Sequence, residues 1–172
     1  TCVISPTARM RALAQVLVEA DGAWLVIEAG DAQAVRAALD RVLFPADQVT
    51  LGRLESGQLL RPLGGGPEAE LPQDWPLSAA GRWRSVGSQR GIALLERCLL
   101  LREGEQAPAG STIPRLSSSD HERWRLQQGW PSGPGELNDD CNPFELGLAD
   151  RVSLSKGCYV GQETLAKLAT YD

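Results

Sequence analysis

The sequence predicts an α+β fold, antiparallel sheets with packed helices. Three observations carry this expectation. Two apolar runs near the start are joined by an Asp-Gly pair, a capped amphipathic pattern follows them directly, and further short strand-like runs are separated by turn residues. The resulting β-β-α-β-β order suits a small antiparallel sheet with a helix on one face rather than a parallel sheet of βαβ units.

Thr7 to Glu19 reads as the first strand, with Ala14, Val16 and Val18 facing one side and Leu13 and Leu17 the other. Asp21-Gly22 is a tight-turn pair. Trp24-Leu25-Val26-Ile27 reads as a buried returning strand. Asp31 is placed to cap a helix whose apolar positions are Val35, Ala38, Leu39, Val42 and Leu43, with Pro45 as its stop. Gln48 to Leu54 is expected to pair with Gln58 to Leu63 across the Glu55-Ser56-Gly57 turn. Gly64-Gly65-Gly66-Pro67 opens a loop that runs through Pro72 and Pro76. No Lys followed by Ser or Thr comes after these glycines, so they do not read as a phosphate-binding loop. Ile92 to Leu101 is the strongest later strand, and Pro108 to Ser118 a second loop.

Ser119 and Glu122 have the spacing of a capping box and start a helix through Gln128, which Gly129 and Pro131 end. Ser132-Gly133-Pro134-Gly135 is a turn. Asn142-Pro143-Phe144-Glu145 repeats the helix-start logic, with a cap, a proline at the first position and a glutamate at the third. Gly147 ends that single turn. A last helix is expected after Gly161, its apolar face made of Leu165, Ala166, Leu168 and Ala169.

Composition narrows the function classes. A net charge of −5 argues against a nucleic-acid groove, and no apolar run approaches membrane-spanning length. Thr1-Cys2-Val3-Ile4-Ser5-Pro6 does not read as a signal peptide. Cys2, Cys98, Cys141 and Cys158 include no C-x-x-C pair, which suits free thiols in a reducing, cytoplasmic setting. His121 is the single histidine and no ligand pairs are suitably spaced, so no metal site is expected.

The chemistry concentrates in Lys156-Gly157-Cys158-Tyr159-Val160-Gly161-Gln162-Glu163. Gly161 is the expected N-cap of the last helix, with Gln162 and Glu163 in its first turn. Cys158 then lies just before a helix N-terminus with Lys156 nearby, and both features favour a thiolate. Tyr159 and Gln162 are placed to hydrogen-bond around it. An isolated cysteine is more often a small core residue.

The octet as a whole resembles the K-G-C-Y-x-G-Q-E signature of the YgfZ-type family, which is related to the T-protein of glycine cleavage. Trp124-Arg125-Leu126-x-x-Gly129 and Asn142-Pro143-x-Glu145-x-Gly147-Leu148 resemble the segments that precede that signature. The resemblance implies a T-protein-like folate-binding fold, tetrahydrofolate as the cofactor, and iron–sulfur client or assembly proteins as partners, with no nucleic acid and no membrane. It implies a core from residues 1–30 plus 115–172 and a smaller ferredoxin-like unit from 31–114. It also implies a missing N-terminal segment and C-terminal barrel, and hence weak or absent folate binding by this chain alone, restored when the flanking segments are present.

Arg125 becomes a candidate contact for the glutamate tail of folate, because a guanidinium fork matches a carboxylate; a surface helix charge is an equal alternative. Glu145 could meet the pterin, although capping alone accounts for it. The acidic pair of the T-protein falls at Ala12 and Leu13, and its pterin-binding glutamate near Gly87-Ser88-Gln89-Arg90-Gly91, where no carboxylate stands. Aminomethyl transfer needs such a carboxylate. The expected function is therefore a folate-binding accessory protein for iron–sulfur maintenance with Cys158 as its thiol. A T-protein-like aminomethyltransferase and a non-catalytic interaction module are the alternatives. The tryptophans are expected in core or loop anchors, and His121 in solvent.

Overall fold

The computed structural model describes residues 1–18, 22–60, 81–85, 97–102 and 115–171, with only the backbone described for 17, 18, 81–85, 97–102 and 171. The fold is α+β, with antiparallel sheets and helices. Its contacts divide it into two units, Thr1–Gly52 with Trp124–Asp172, and Arg53–Arg123. The first unit includes residues 31–52, which the sequence reading had placed in the smaller one.

The sheet of the first unit has β1 (Cys2–Ile4), β2 (Met10–Val18) and β3 (Ala23–Gly30) in that spatial order, all antiparallel. Strand β1 is a finding of the structure. Three residues are too few to show a period of two, so nothing local announces them. Central β2 is covered on both faces: Met10, Ala12, Leu13 and Ala14 have no exposed surface. Gln15 is also buried and donates from Nε2 to Glu28 Oε1 on β3 (2.6 Å). Leu13 and Ala14, expected on opposite faces of the strand, are both enclosed. Edge strand β3 is half-buried rather than buried, with Leu25 37% exposed and Ala29 its buried apolar residue.

Strand β2 starts at Met10 and not at Thr7, because Ser5 to Arg9 close into a loop. Ser5 N donates to Arg9 O (2.8 Å) and Ala8 N to Ser5 O (2.9 Å), with Ala8 in the left-handed region at φ 61°. Asp21 of the expected turn lies outside the described residues.

Helix α1 (Ala32–Asp40) is capped as expected by Asp31, whose Oδ1 accepts from Gln33 N (2.8 Å) and Ala34 N (3.2 Å). It buries Val35 and ends before Val42, which is 49% exposed. Gln48 to Leu54 is not a strand. Pro45–Asp47 forms a 3-10 turn, Gln48 takes φ 53° immediately after it, and Arg36 Nε holds Gly52 O (3.3 Å). A left-handed residue breaks the extended run before it can pair.

In the second unit, β4 (Gly57–Leu60), β5 (Gly81–Ser85) and β6 (Arg97–Arg102) form an antiparallel sheet in the order β4-β6-β5. The partner of β4 is β6, through Leu59 opposite Leu100, and not 48–54. Residues 92–96 of the expected strand, the Gly64 to Pro76 loop, Gly87 to Gly91 and residues 108–114 lie outside the described residues.

Helix α2 (Ser118–Gln127) is capped by Ser117, whose Oγ accepts from Asp120 N (3.1 Å), and not by Ser119. Gly129 takes φ 63° and Trp130 N returns to Arg125 O (2.8 Å), which closes the helix end. The expected turn at Ser132 is a four-residue helix, α3 (Gly133–Glu136). Helix α4 (Gln162–Tyr171) buries Leu165 and half-buries Leu168, while Ala166 and Ala169 are exposed, so its inward face is narrower than expected. Among the described residues no helix is long and apolar enough to cross a membrane.

Candidate functional site

The octet is a loop tied by its own side chains. Gln162 Oε1 accepts from Tyr159 N (3.3 Å), and Gln162 N donates to Tyr159 O (3.2 Å). Its Nε2 donates to Leu154 O and Lys156 O, both at 3.2 Å. Tyr159 Oη donates to Ser153 O (2.7 Å), and Lys156 Nζ lies 4.7 Å from the centre of the Tyr159 ring. Gln162 and Tyr159 thus spend their polar groups on loop backbone, where the sequence reading had placed them around the thiol. Burial pushes the Tyr159 phenol above its usual pKa, and the nearby Cys2 adds to this. Cys158, Lys156, Gly157 and Glu163 are exposed.

Gly161 seats this loop on the sheet. It has φ 83°, and Leu165 N donates to its carbonyl (3.0 Å), as an N-cap requires. A Cβ at Gly161 would come to 2.6 Å from Ser5 O and 2.9 Å from Ile4 Cδ1. The glycine is needed for this approach to the end of β1. Gly157 has open space around it.

The turn at Asn142 is a reciprocal cap. Asn142 Oδ1 accepts from Phe144 N (2.8 Å) and Glu145 N (3.1 Å), and Glu145 Oε2 accepts from Asn142 N (2.6 Å). Arg9 Nη1 lies 3.5 Å from the same Glu145 oxygen, and Met10 N donates to Cys141 O (2.8 Å), fixing the turn beside β2. Glu145 therefore has a structural occupation, as its spacing predicted. Asn142→Ala is expected to cost about 1 kcal/mol in urea unfolding, the usual loss for such a cap.

Arg125 is mostly enclosed, with its side chain 11% exposed. Nη1 donates to Glu136 Oε2 (3.0 Å) and to Trp130 O (2.9 Å), and Nη2 donates to Glu136 Oε1 (3.1 Å). Its fork holds a carboxylate supplied by the chain itself. Burial alone would raise the Glu136 carboxyl, but the Ser132 N–H and the Arg125 guanidinium outweigh it and hold the group below the usual range.

A second guanidinium lies beside Trp130. Arg151, in the 3-10 turn Ala149–Arg151, sits 5.5 Å from the Trp130 ring centre, and its Nη2 is buried without a hydrogen-bond partner. A buried donor left unpaired costs about 1–3 kcal/mol. Burial lowers the Arg151 pKa, and Cys2 opposes that shift. Burial likewise raises the half-buried Cys2 thiol, against Arg151, which lowers it. Besides the adjacent α-ammonium, Cys2 thus has Arg151 near it in space although no basic side chain is near it in sequence. Glu136 and Arg151 were missed as site residues. Neither is at helical spacing from its neighbour in the site, so no local signal marks them.

Trp124 and Trp130 pack with ring centres 6.1 Å apart. Cys141 is half-buried, Cys98 and Trp75 lie outside the described side chains, and His121 is exposed. Among the described residues no three metal-ligating side chains gather. A groove of about 410 Å³ lies between α1 and the 137–139 segment, with Arg11, Asp31, Arg41 and Asp139 on its walls, and contains no octet residue.

No family model matches the chain. No solved structure matches it significantly. The chain is similar to the Arabidopsis thaliana protein named "Putative transferase At1g60990, chloroplastic", with 28% identity over 192 aligned positions covering 100% of this chain and 44% of the relative. The chain spans less than half the length of that curated relative.

Proposed function

We propose that this chain is the folate-binding part of an accessory protein that supports iron–sulfur cluster assembly or repair, with Cys158 as its functional thiol. The observation that supports the reading best is the octet, whose tied loop leaves Cys158 in solvent just ahead of α4. A thiol displayed on a braced loop is open to a partner protein, as a buried structural cysteine is not. Tetrahydrofolate is the cofactor proposed. It would supply one-carbon chemistry when bound, and the half-buried Trp124 and Arg151 are side chains of this unit suited to a ring and to a carboxylate.

A second reading is a folate-dependent aminomethyltransferase, favoured by the word transferase in the name of the Arabidopsis relative. Against it, the positions matched to the T-protein acidic pair are Ala12 and Leu13, apolar and fully enclosed in β2. A turnover assay with tetrahydrofolate and an aminomethyl donor separates the two. A non-catalytic interaction module is the reading left if no folate binds.

The thiol is tested by alkylation rate against pH, read for each cysteine by mass spectrometry on the folded chain. Cys158 is expected to react several-fold faster than Cys2 at pH 7, because burial shields Cys2 and raises its pKa. Equal rates would remove the reading of Cys158 as the accessible, functional thiol. In cells, Cys158→Ser is expected to lose support of iron–sulfur enzymes, and full support by that variant would refute the proposed role.

A further inference from the structure

Two guanidiniums meet at Trp130, and they differ in what they have left to offer. Arg125 has its fork filled by Glu136 and a third bond to the Trp130 carbonyl. Arg151 makes no ion pair among the described residues, and its Nη2 has no acceptor. We infer that Arg151, not Arg125, anchors the carboxylate of the small ligand this unit takes. This deepens the folate reading and rests on it for the identity of the ligand.

The groups around Arg151 leave it short of negative charge. Tyr159 has committed its hydroxyl to Ser153 O, and Cys2 is held towards its neutral thiol by burial. A guanidinium keeps its proton even when partly buried, so it cannot relieve the deficit by neutralising. A ligand carboxylate relieves it, with two acceptors in the geometry of the fork. Arg151 is half-buried but its Nη2 is enclosed, so the side chain rotates outward for an anion arriving from solvent to complete its coordination. Trp130 is 6% exposed, so its ring backs the guanidinium from inside and the rest of the ligand lies on the solvent side of Arg151. Arg151 also ends the 3-10 turn that leads into the octet, so the occupied site would lie at the root of the loop that carries Cys158.

The test is a calorimetric titration of the 172-residue chain and of Arg151→Met with tetrahydrofolate, with a tail-less tetrahydropterin and with glutarate, alongside the Tm in glutarate. Loss of the charge-assisted pair is expected to weaken tetrahydrofolate about tenfold or more, to leave the tail-less pterin unchanged, and to abolish the glutarate-induced rise in Tm. If Arg151→Met does not unfold cooperatively, Arg151→Lys takes its place, with a smaller loss in the same pattern because the charge remains and the fork does not. Unchanged tetrahydrofolate affinity in the variant overturns the Arg151 assignment and leaves the folate reading standing. An Arg151-dependent response to glutarate in a chain that ignores tetrahydrofolate does the reverse. No response of the native chain to either overturns both.

Discussion

Gly161→Ala is expected to lower the stability of the first unit by about 2–4 kcal/mol, with Gly157→Ala within about 0.5 kcal/mol of the native chain. Both glycines belong to the octet, but only Gly161 has a left-handed backbone and a neighbour where a Cβ would go. That neighbour is the backbone carbonyl of Ser5, which the Ser5–Arg9 loop holds in place, so it cannot step aside cheaply. Urea unfolding of the two variants reads the difference. Similar losses for both would show that the octet is not seated on β1 through Gly161.

Arg125→Met is expected to cost about 1–3 kcal/mol, below the range for a fully buried pair because the Glu136 side chain is 35% exposed. The loss has two sources. The Glu136 carboxylate loses both fork bonds, and the Trp130 carbonyl loses a donor. The pair also has a pH signature. The Glu136 pKa is lower in the folded chain than in the unfolded one, so its contribution is complete above the unfolded carboxyl value of about 4.3 and is lost as pH falls through the folded value. Native chain and Glu136→Gln should therefore differ most above about pH 4 and converge in stronger acid. A difference that stays constant down to pH 2 would separate the carboxylate from the effect.

What was legible in the sequence was local. The cap at Asp31 and the reciprocal Asn142–Glu145 pair depend on residues two or three apart, and both form as spaced. The octet could be located from its residue types, and so could the α4 start at Gly161. What was not legible depends on approach across the fold. Strand β1 exists because β2 lies beside it, and β4 finds β6 across forty residues rather than the nearer 48–54 run. The partner of Arg125 stands eleven residues on, and the Arg151–Trp130 contact crosses twenty-one. At the start of α2 three serines stand in a row, and the Ser119–Glu122 spacing pointed to one that does not cap the helix. Tyr159 and Gln162 were placed in the right loop but on the wrong atoms, because their geometry depends on where Leu154 and Ser153 turn their carbonyls.

The central claim is that this chain takes a folate, and isothermal titration with tetrahydrofolate tests it most directly. The account predicts a saturable one-to-one isotherm, weakened by Arg151→Met and indifferent to Gly157→Ala. At about 1 mM ligand even an interaction of about −4 kcal/mol half-fills a site. A flat isotherm at that concentration, from a chain that unfolds cooperatively, would contradict it.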